Sequence, residues 1–181
     1  IPNTVKNGIE ALNKIKPILT TIHVSGGDEM MKSSVKNKKF TKILGVSILT
    51  SMDTKQTKKF YNQKNVFFLV KKFAKLAKKN GLDGVVCSPK EIKVIRKATG
   101  KNFIIVTPGI RITNKLKSDD QKRVETPKKA LKLVAKYLVI VRPITKSRDP
   151  LKTLKEINRV DISELLENNW QQPIEFSVKA R

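Results

Sequence analysis

Val66-Phe67-Phe68-Leu69-Val70-Lys71-Lys72-Phe73-Ala74-Lys75-Leu76-Ala77-Lys78-Lys79-Asn80-Gly81-Leu82-Asp83-Gly84-Val85-Val86-Cys87-Ser88 changes period partway along. From Val66 to Asn80 the apolar residues keep helical spacing and lysines fill the outer face, which predicts a long amphipathic helix. Gly81 stops that helix as a residue just past the C-cap should. Gly84–Cys87 is then a short, continuously apolar run, the pattern of a strand buried on both faces. A helix handing over to a fully buried strand is half of a βαβ unit, so the same alternation is expected on either side.

It is there in both directions. Upstream, Val5–Lys14 is helix-like, Ile18–His23 is β-rich, and Asp28–Lys36 is helical after the Gly26-Gly27 punctuation. Ile43–Leu49 is a nearly continuous apolar strand, followed by a loop around Asp53–Lys64. Downstream, Pro89–Thr99 is helical, with Pro near its first turn and Gly100 after its end, and Phe103–Val106 is the next strand. A polar segment, Thr113–Asp120, leads to a helix at Thr126–Ala135 whose Thr126-Pro127 opening reads as N-cap then N1. Tyr137–Val141 is the last strand and Asp149–Val160 the last long helix.

Continuous apolar strands, each followed by a helix, imply an α/β fold with a parallel sheet. The polar residues fall just after the strand ends: His23-Val24-Ser25-Gly26-Gly27, Thr50-Ser51, Ser88, Thr107-Pro108-Gly109-Ile110-Arg111 and Arg142-Pro143. One functional face at the C-terminal ends of the strands predicts this placement, whereas a doubly wound sheet would put its site at one switch point. The expected architecture is therefore a TIM barrel, and an incomplete one. Five of its eight strands are legible and three are missing.

Composition narrows the function classes. With 181 residues and 39% hydrophobic content, the chain can bury one core. It contains no apolar run of about eighteen residues, and its Ile-Pro-Asn-Thr-Val-Lys start lacks the regions of a signal peptide. The single cysteine, Cys87, excludes an internal disulfide and reads as a small buried hydrophobe in a reducing cytoplasm. No metal-ligand spacing is present. The formal charge of +24 would ordinarily point to nucleic acid, but the lysines line helical outer faces and do not interleave with stacking aromatics. They read as a solvated face that binds polyanions non-specifically at low salt.

Seven collinear stretches resemble the bacterial orotidine 5'-phosphate decarboxylase family. They are Ile1-Pro2-Asn3-Thr4-Val5, Thr21-Ile22-His23-Val24-Ser25-Gly26-Gly27, Val46-Ser47-Ile48-Leu49-Thr50-Ser51-Met52, Gly81-Leu82-Asp83-Gly84-Val85-Val86-Cys87-Ser88, Val106-Thr107-Pro108-Gly109-Ile110-Arg111, Asp120-Gln121-Lys122-Arg123 with Thr126-Pro127, and Tyr137-Leu138-Val139-Ile140-Val141-Arg142-Pro143-Ile144-Thr145. The resemblance covers residues 1–157; residues 158–181 are expected to form a polar tail, with Trp170 and Phe176 as docking points.

The resemblance implies a (β/α)8 TIM barrel of which strands four to eight are present, and a homodimer. It also implies a lyase of pyrimidine biosynthesis that converts orotidine 5'-phosphate to uridine 5'-phosphate and carbon dioxide with no cofactor. The reaction meets a carbanion by electrostatic preorganisation. In the family a Lys ends the second strand and Asp-x-Lys-x-x-Asp ends the third, directly before the position that Ile1 occupies. No catalytic residue is therefore expected in this chain, which does not begin with Met and reads as a fragment or as a decayed homologue.

The binding half is what remains. By resemblance Gln121 and Arg142 hold the phosphate, Arg111 sits in the loop that closes over it, Thr50 hydrogen-bonds the base and Thr4 reaches the partner's site. His23 has no Ser, Cys or carboxylate beside it in a triad arrangement and reads as a hydrogen-bonded rim histidine. Two residues depart from the pattern: Val141 and Val134 stand where the family has Gly. A β-branched Val141 would resist positive φ and put a side chain where phosphate must meet backbone. By the same resemblance, a one-residue insertion between Arg111 and Gln121 would shift the loop. The alternative reading is a non-catalytic basic module that contacts RNA or another polyanion.

Overall fold

The computed structural model describes residues 1–110, 126, 130 and 135–158, and the features below are those of these residues. Five parallel strands, β1 (Leu19–His23), β2 (Lys42–Val46), β3 (Gly84–Val86), β4 (Ile104–Thr107) and β5 (Tyr137–Leu138), pair in chain order. Their helices are α1 (Pro2–Ile15), α2 (Asp28–Asn37), α3 (Thr54–Tyr61), α4 (Val66–Lys79), α5 (Ile92–Thr99), α6 (Arg142–Thr145) and α7 (Pro150–Asn158). The alternation expected of a parallel α/β sheet is present.

Side-chain alternation splits the sheet residues between two cores. Ile22, Ile43, Val85, Ile105 and Leu138 pack with Val70, Phe73, Ala74, Ala77, Ile92 and Ile95 of α4 and α5 in the larger cluster. Leu44, Ile104 and Val106 form a smaller cluster on the other face, with Leu19, Val86, Tyr137 and Val139 against it. Apolar residues on both faces explain why the strands read as continuous rather than alternating runs. Each fully buried aliphatic side chain contributes about 1.5–3 kcal/mol.

The end of α4 shows how local sequence sets the frame. Asn65 caps its start, accepting the Phe68 N–H at 3.0 Å. At its end Gly81 has φ +81°. The Gly81 N–H reaches the Lys78 carbonyl at 3.1 Å and the Leu82 N–H reaches the Ala77 carbonyl at 3.0 Å. These are the two bonds of a Schellman motif, whose left-handed residue favours glycine.

The chain then enters β3 through Asp83, which binds the starts of three strands. Its carboxylate accepts the Ile43 N–H at 2.7 Å and pairs with Lys38. Its backbone N–H donates to Ile43 O at 2.9 Å, and its carbonyl accepts the Ile104 N–H at 3.0 Å. Between α5 and β4, half-buried Arg96 donates to the carbonyls of Gly100, Lys101 and Phe103 at 2.7–2.8 Å, and burial pulls its guanidinium below the usual arginine pKa.

The structure corrects several boundaries. The expected loop at Asp53–Lys64 contains α3, which starts on Asp53 accepting the Gln56 N–H at 3.0 Å and ends at Asn62 with φ 50°. Only Thr57 of α3 is buried, so this helix carries no apolar period. The strand expected to reach Leu49 ends at Val46, and Ser47 closes it by donating both its N–H (3.3 Å) and its hydroxyl (2.9 Å) to Val86 O. The last strand stops at Leu138 where Val141 was expected, because Ile144 and Thr145 both turn back onto Val141 O at 2.9 Å, forming α6. Pro89–Glu91 is a 3-10 turn ahead of α5 rather than its first turn.

Of the helix expected at Thr126–Ala135, Ala130 is described as helical, its N–H reaching Thr126 O at 3.1 Å; Val134 lies outside the described residues. So do residues 159–181, with Trp170 and Phe176. Among the described residues no helix is long and apolar enough to cross a membrane, and Cys87 is buried as expected.

Candidate functional site

Because the strands are parallel and pair in order, all their C-terminal ends meet one edge of the sheet. Every polar stretch picked out after a strand leaves from that edge. Successive strand ends are tied to one another there: Cys87 N–H to Val106 O at 3.1 Å, and Val139 N–H to Thr107 O at 2.9 Å. The edge is thus a fixed platform carrying loops, which is how sites on rigid scaffolds are built.

Thr50 lies just beyond β2, with 9% of its surface exposed, and its side chain has no hydrogen-bond partner among the described residues. Next along, Ser88 and Glu91 form a reciprocal capping box: the Glu91 carboxylate accepts the Ser88 N–H at 2.9 Å, and Ser88 Oγ accepts the Lys90 N–H at 3.3 Å. That box buries Glu91 to 1% exposure and gives it a structural task. After β4, Gly109 has φ +80°, so the Pro-Gly pair makes a sharp turn, and Ile110 is fully buried beneath it. Arg111, which follows, and Gln121 lie outside the described residues.

Thr4 is exposed in the first turn of α1. Ile1 and His23 line one depression, which puts the start of α1 on the same edge as the end of β1. His23 itself is exposed, and among the described residues its side chain has no hydrogen-bond partner.

Arg142 opens α6 directly after the last strand, half-buried, with Val141 before it. Val141 has φ −120° and is 37% exposed. The strain expected of a β-branched residue at positive φ is therefore not a feature of this backbone. What remains of that argument is steric: a branched side chain stands beside Arg142.

One feature of the edge escaped the sequence reading. The starts of α3 and α4 converge on a depression of about 630 Å³ lined by Asp53, Thr54, Lys64, Asn65 and Lys90. The cues were present as Asp53-x-x-Gln56 and Asn65 before an apolar run, both helix-start signatures. Here Asp53 and Asn65 already occupy helix-start N–H groups, so the feature is structural. Among the described residues no group of three or more His, Cys, Asp or Glu could hold a metal ion.

The sequence model of the orotidine 5'-phosphate decarboxylase / HUMPS family matches residues 1–157. An orotidine 5'-phosphate decarboxylase of Coxiella burnetii is 44% identical over 165 residues, covering 88% of this chain and 70% of its own length. One from Dictyoglomus turgidum is 40% identical over 182 residues, covering 93% of this chain and 72% of its own. Among solved structures, that of orotidine 5'-phosphate decarboxylase from Lactobacillus acidophilus superposes with a TM-score of 0.73 at 35% identity, over 88% of this chain and 70% of that one.

Proposed function

This chain belongs to the orotidine 5'-phosphate decarboxylase / HUMPS family, and from that premise we propose that it is the substrate-binding portion of a decarboxylase-type barrel. In this reading β1–β5 are strands four to eight of a (β/α)8 barrel spanning residues 1–157, with residues 158–181 a separate tail. The ligand is orotidine 5'-phosphate or uridine 5'-phosphate. Arg142 and Gln121 hold the phosphate and Arg111 closes over it, Thr50 meets the base, and Thr4 serves a second protomer of a cytoplasmic homodimer. The observation that carries the reading is the shared edge: Thr50, Gly109 and Arg142 follow different strands, yet all leave the sheet on the same side.

Residues 1–181 contain no Asp-x-Lys-x-x-Asp motif. The chain alone is therefore expected to bind without turning over, because decarboxylation asks for removal of at least ~8 kcal/mol of barrier and phosphate contacts do not act at the reacting carbon. Calorimetric titration of the 181-residue chain with uridine 5'-phosphate should show saturable binding. Arg142→Ala should weaken it about tenfold or more, the loss of one or two charge-assisted bonds. Turnover of orotidine 5'-phosphate by the chain alone, or indifference to Arg142→Ala, would overturn the reading.

The second reading, a polyanion-binding module, is favoured by one observation: Lys71, Lys72, Lys75 and Lys79 run along one stripe of α4 beside exposed Phe68. Its mark would be RNA binding that survives about 200 mM salt, where non-specific lysine contacts fade.

A further inference from the structure

α4 packs on β2, β3 and α5 through Leu69, Val70, Phe73, Ala74 and Ala77. On its opposite side Phe68, Lys71, Lys72, Lys75, Leu76 and Lys79 line a groove of about 350 Å³ that belongs to α4 alone. Phe68 is 55% exposed and the four lysines are exposed too. Among the described residues none of these lysines forms an ion pair, and α4 has no acidic residue of its own. Lysine stems beside Phe68 and Leu76 give the groove an apolar floor, and the ammonium groups give it a cationic rim. A groove of this chemistry fits the apolar face of a helix with acidic flanks.

The chain itself contains such a sequence. Residues 160–178 hold no Lys or Arg, the longest run without one, and they carry Asp161, Glu164, Glu167 and Glu175. Ile162, Leu165, Leu166 and Trp170 recur at helical spacing, Asp161 and Glu167 border that apolar side, and Pro173 follows as a stop. In a chain of formal charge +24 this acidic stretch is complementary to the α4 face in both charge and apolar pattern.

We propose that residues 161–170 of one copy dock as a helix in the α4 groove of a second copy. Ile162, Leu165, Leu166 and Trp170 then cover Phe68, Leu76 and the lysine stems, while Asp161 and Glu167 meet the ammonium rim. Reach assigns the segment to a second copy. α4 follows β2, α7 follows β5, and the sheet order places β3 and β4 between them. Packed helices stand about 8–10 Å apart, so three such steps separate α7 from α4 by roughly 25 Å. From Asn158, where α7 ends, only Arg159 and Val160 precede Asp161, and three residues of extended chain span about 10 Å. A helix starting at Asp161 therefore falls short of its own α4. The contact is independent of the nucleotide reading and takes up the lysine stripe on which the polyanion reading rests.

Trp170 is the single tryptophan of the chain, so its fluorescence reads the contact directly. With the 181-residue chain diluted across about 1–100 μM, the range expected of a small interface, its emission should shift to the blue as concentration rises. Sedimentation should show the mass rising in step; a dimer formed elsewhere on the chain moves the mass without moving Trp170. Lys72→Glu with Lys75→Glu should raise the midpoint concentration about tenfold or more, and so should Asp161→Lys with Glu167→Lys. A chain carrying all four substitutions should recover most of the loss, a rescue that misfolding would not produce. A blue-shifted Trp170 at every concentration would give the groove to the chain's own tail and overturn the proposal. An unshifted Trp170, a shift indifferent to the charge reversals, or no recovery in the fourfold variant overturns it as well. So does an RNA oligonucleotide held at about 200 mM salt through Lys72 and Lys75 while Trp170 stays unshifted, which would assign the groove to RNA.

Discussion

Gly84 faces the Ile104 carbonyl so closely that a β-carbon built on it would lie 2.2 Å from that oxygen. The two residues are register partners in the β3–β4 ladder, so backbone and not a flexible side chain would have to yield. Gly84→Ala is expected to destabilise the chain by about 1–3 kcal/mol, the usual range for overpacking. Urea denaturation followed by far-UV circular dichroism checks this, and an unchanged midpoint would mean that the strands part without cost.

Asp83 should matter more through its hydrogen bond than through its charge. Its pairing with Lys38 is partly exposed, with 20% and 26% of the two side chains accessible, so the ion pair itself is worth little. The bond from the Ile43 N–H at 2.7 Å anchors a strand start, and losing it strands a buried donor. Asp83→Ala is expected to cost about 1.5–3 kcal/mol, and Asp83→Asn, which keeps an acceptor for Ile43, clearly less. Equal losses in the two variants, measured by the same denaturation, would return the weight to the Lys38 pair.

Val141→Gly tests the phosphate reading where sequence and structure part. With φ at −120° the valine is not strained, so glycine brings no conformational relief and is expected to cost up to about 1 kcal/mol of stability. Its gain is access. Removing the branched side chain next to Arg142 should raise uridine 5'-phosphate affinity about tenfold, the worth of one recovered charge-assisted bond. Calorimetry on both variants decides this; equal affinities would place the Val141 side chain clear of the ligand.

Features governed by neighbouring residues were legible in the sequence. Gly81 announced the end of α4 because a helix terminates on a left-handed residue for purely local reasons, and the Schellman bonds follow. The order of strands and helices and the shared edge were legible for a similar reason, since buried parallel strands need apolar runs and their loops do not. By contrast α3 was invisible to periodicity: Thr54–Tyr61 buries only Thr57, and only the Asp53 cap betrayed it. The true end of β2 was hidden because Ile48 is a core residue beyond the last ladder pair, so the apolar run outlasts the strand. The backbone angle of Val141 could not be read from its side chain, because it is set by Ile144 and Thr145 folding back onto its carbonyl.

The Asp83 knot lies where β2, β3 and β4 begin, the length of the strands away from the loops that would meet a ligand. The knot and the proposed ligand site therefore lie at opposite ends of the strands. Substitutions on the opposite rim, such as one at Val141, leave the knot untouched. A lineage can thus drift in its chemistry, or abandon it, while the inherited scaffold keeps folding. Resemblance that persists over a whole barrel segment is evidence of descent, and only the ligand rim records whether the ancestral reaction is still under selection.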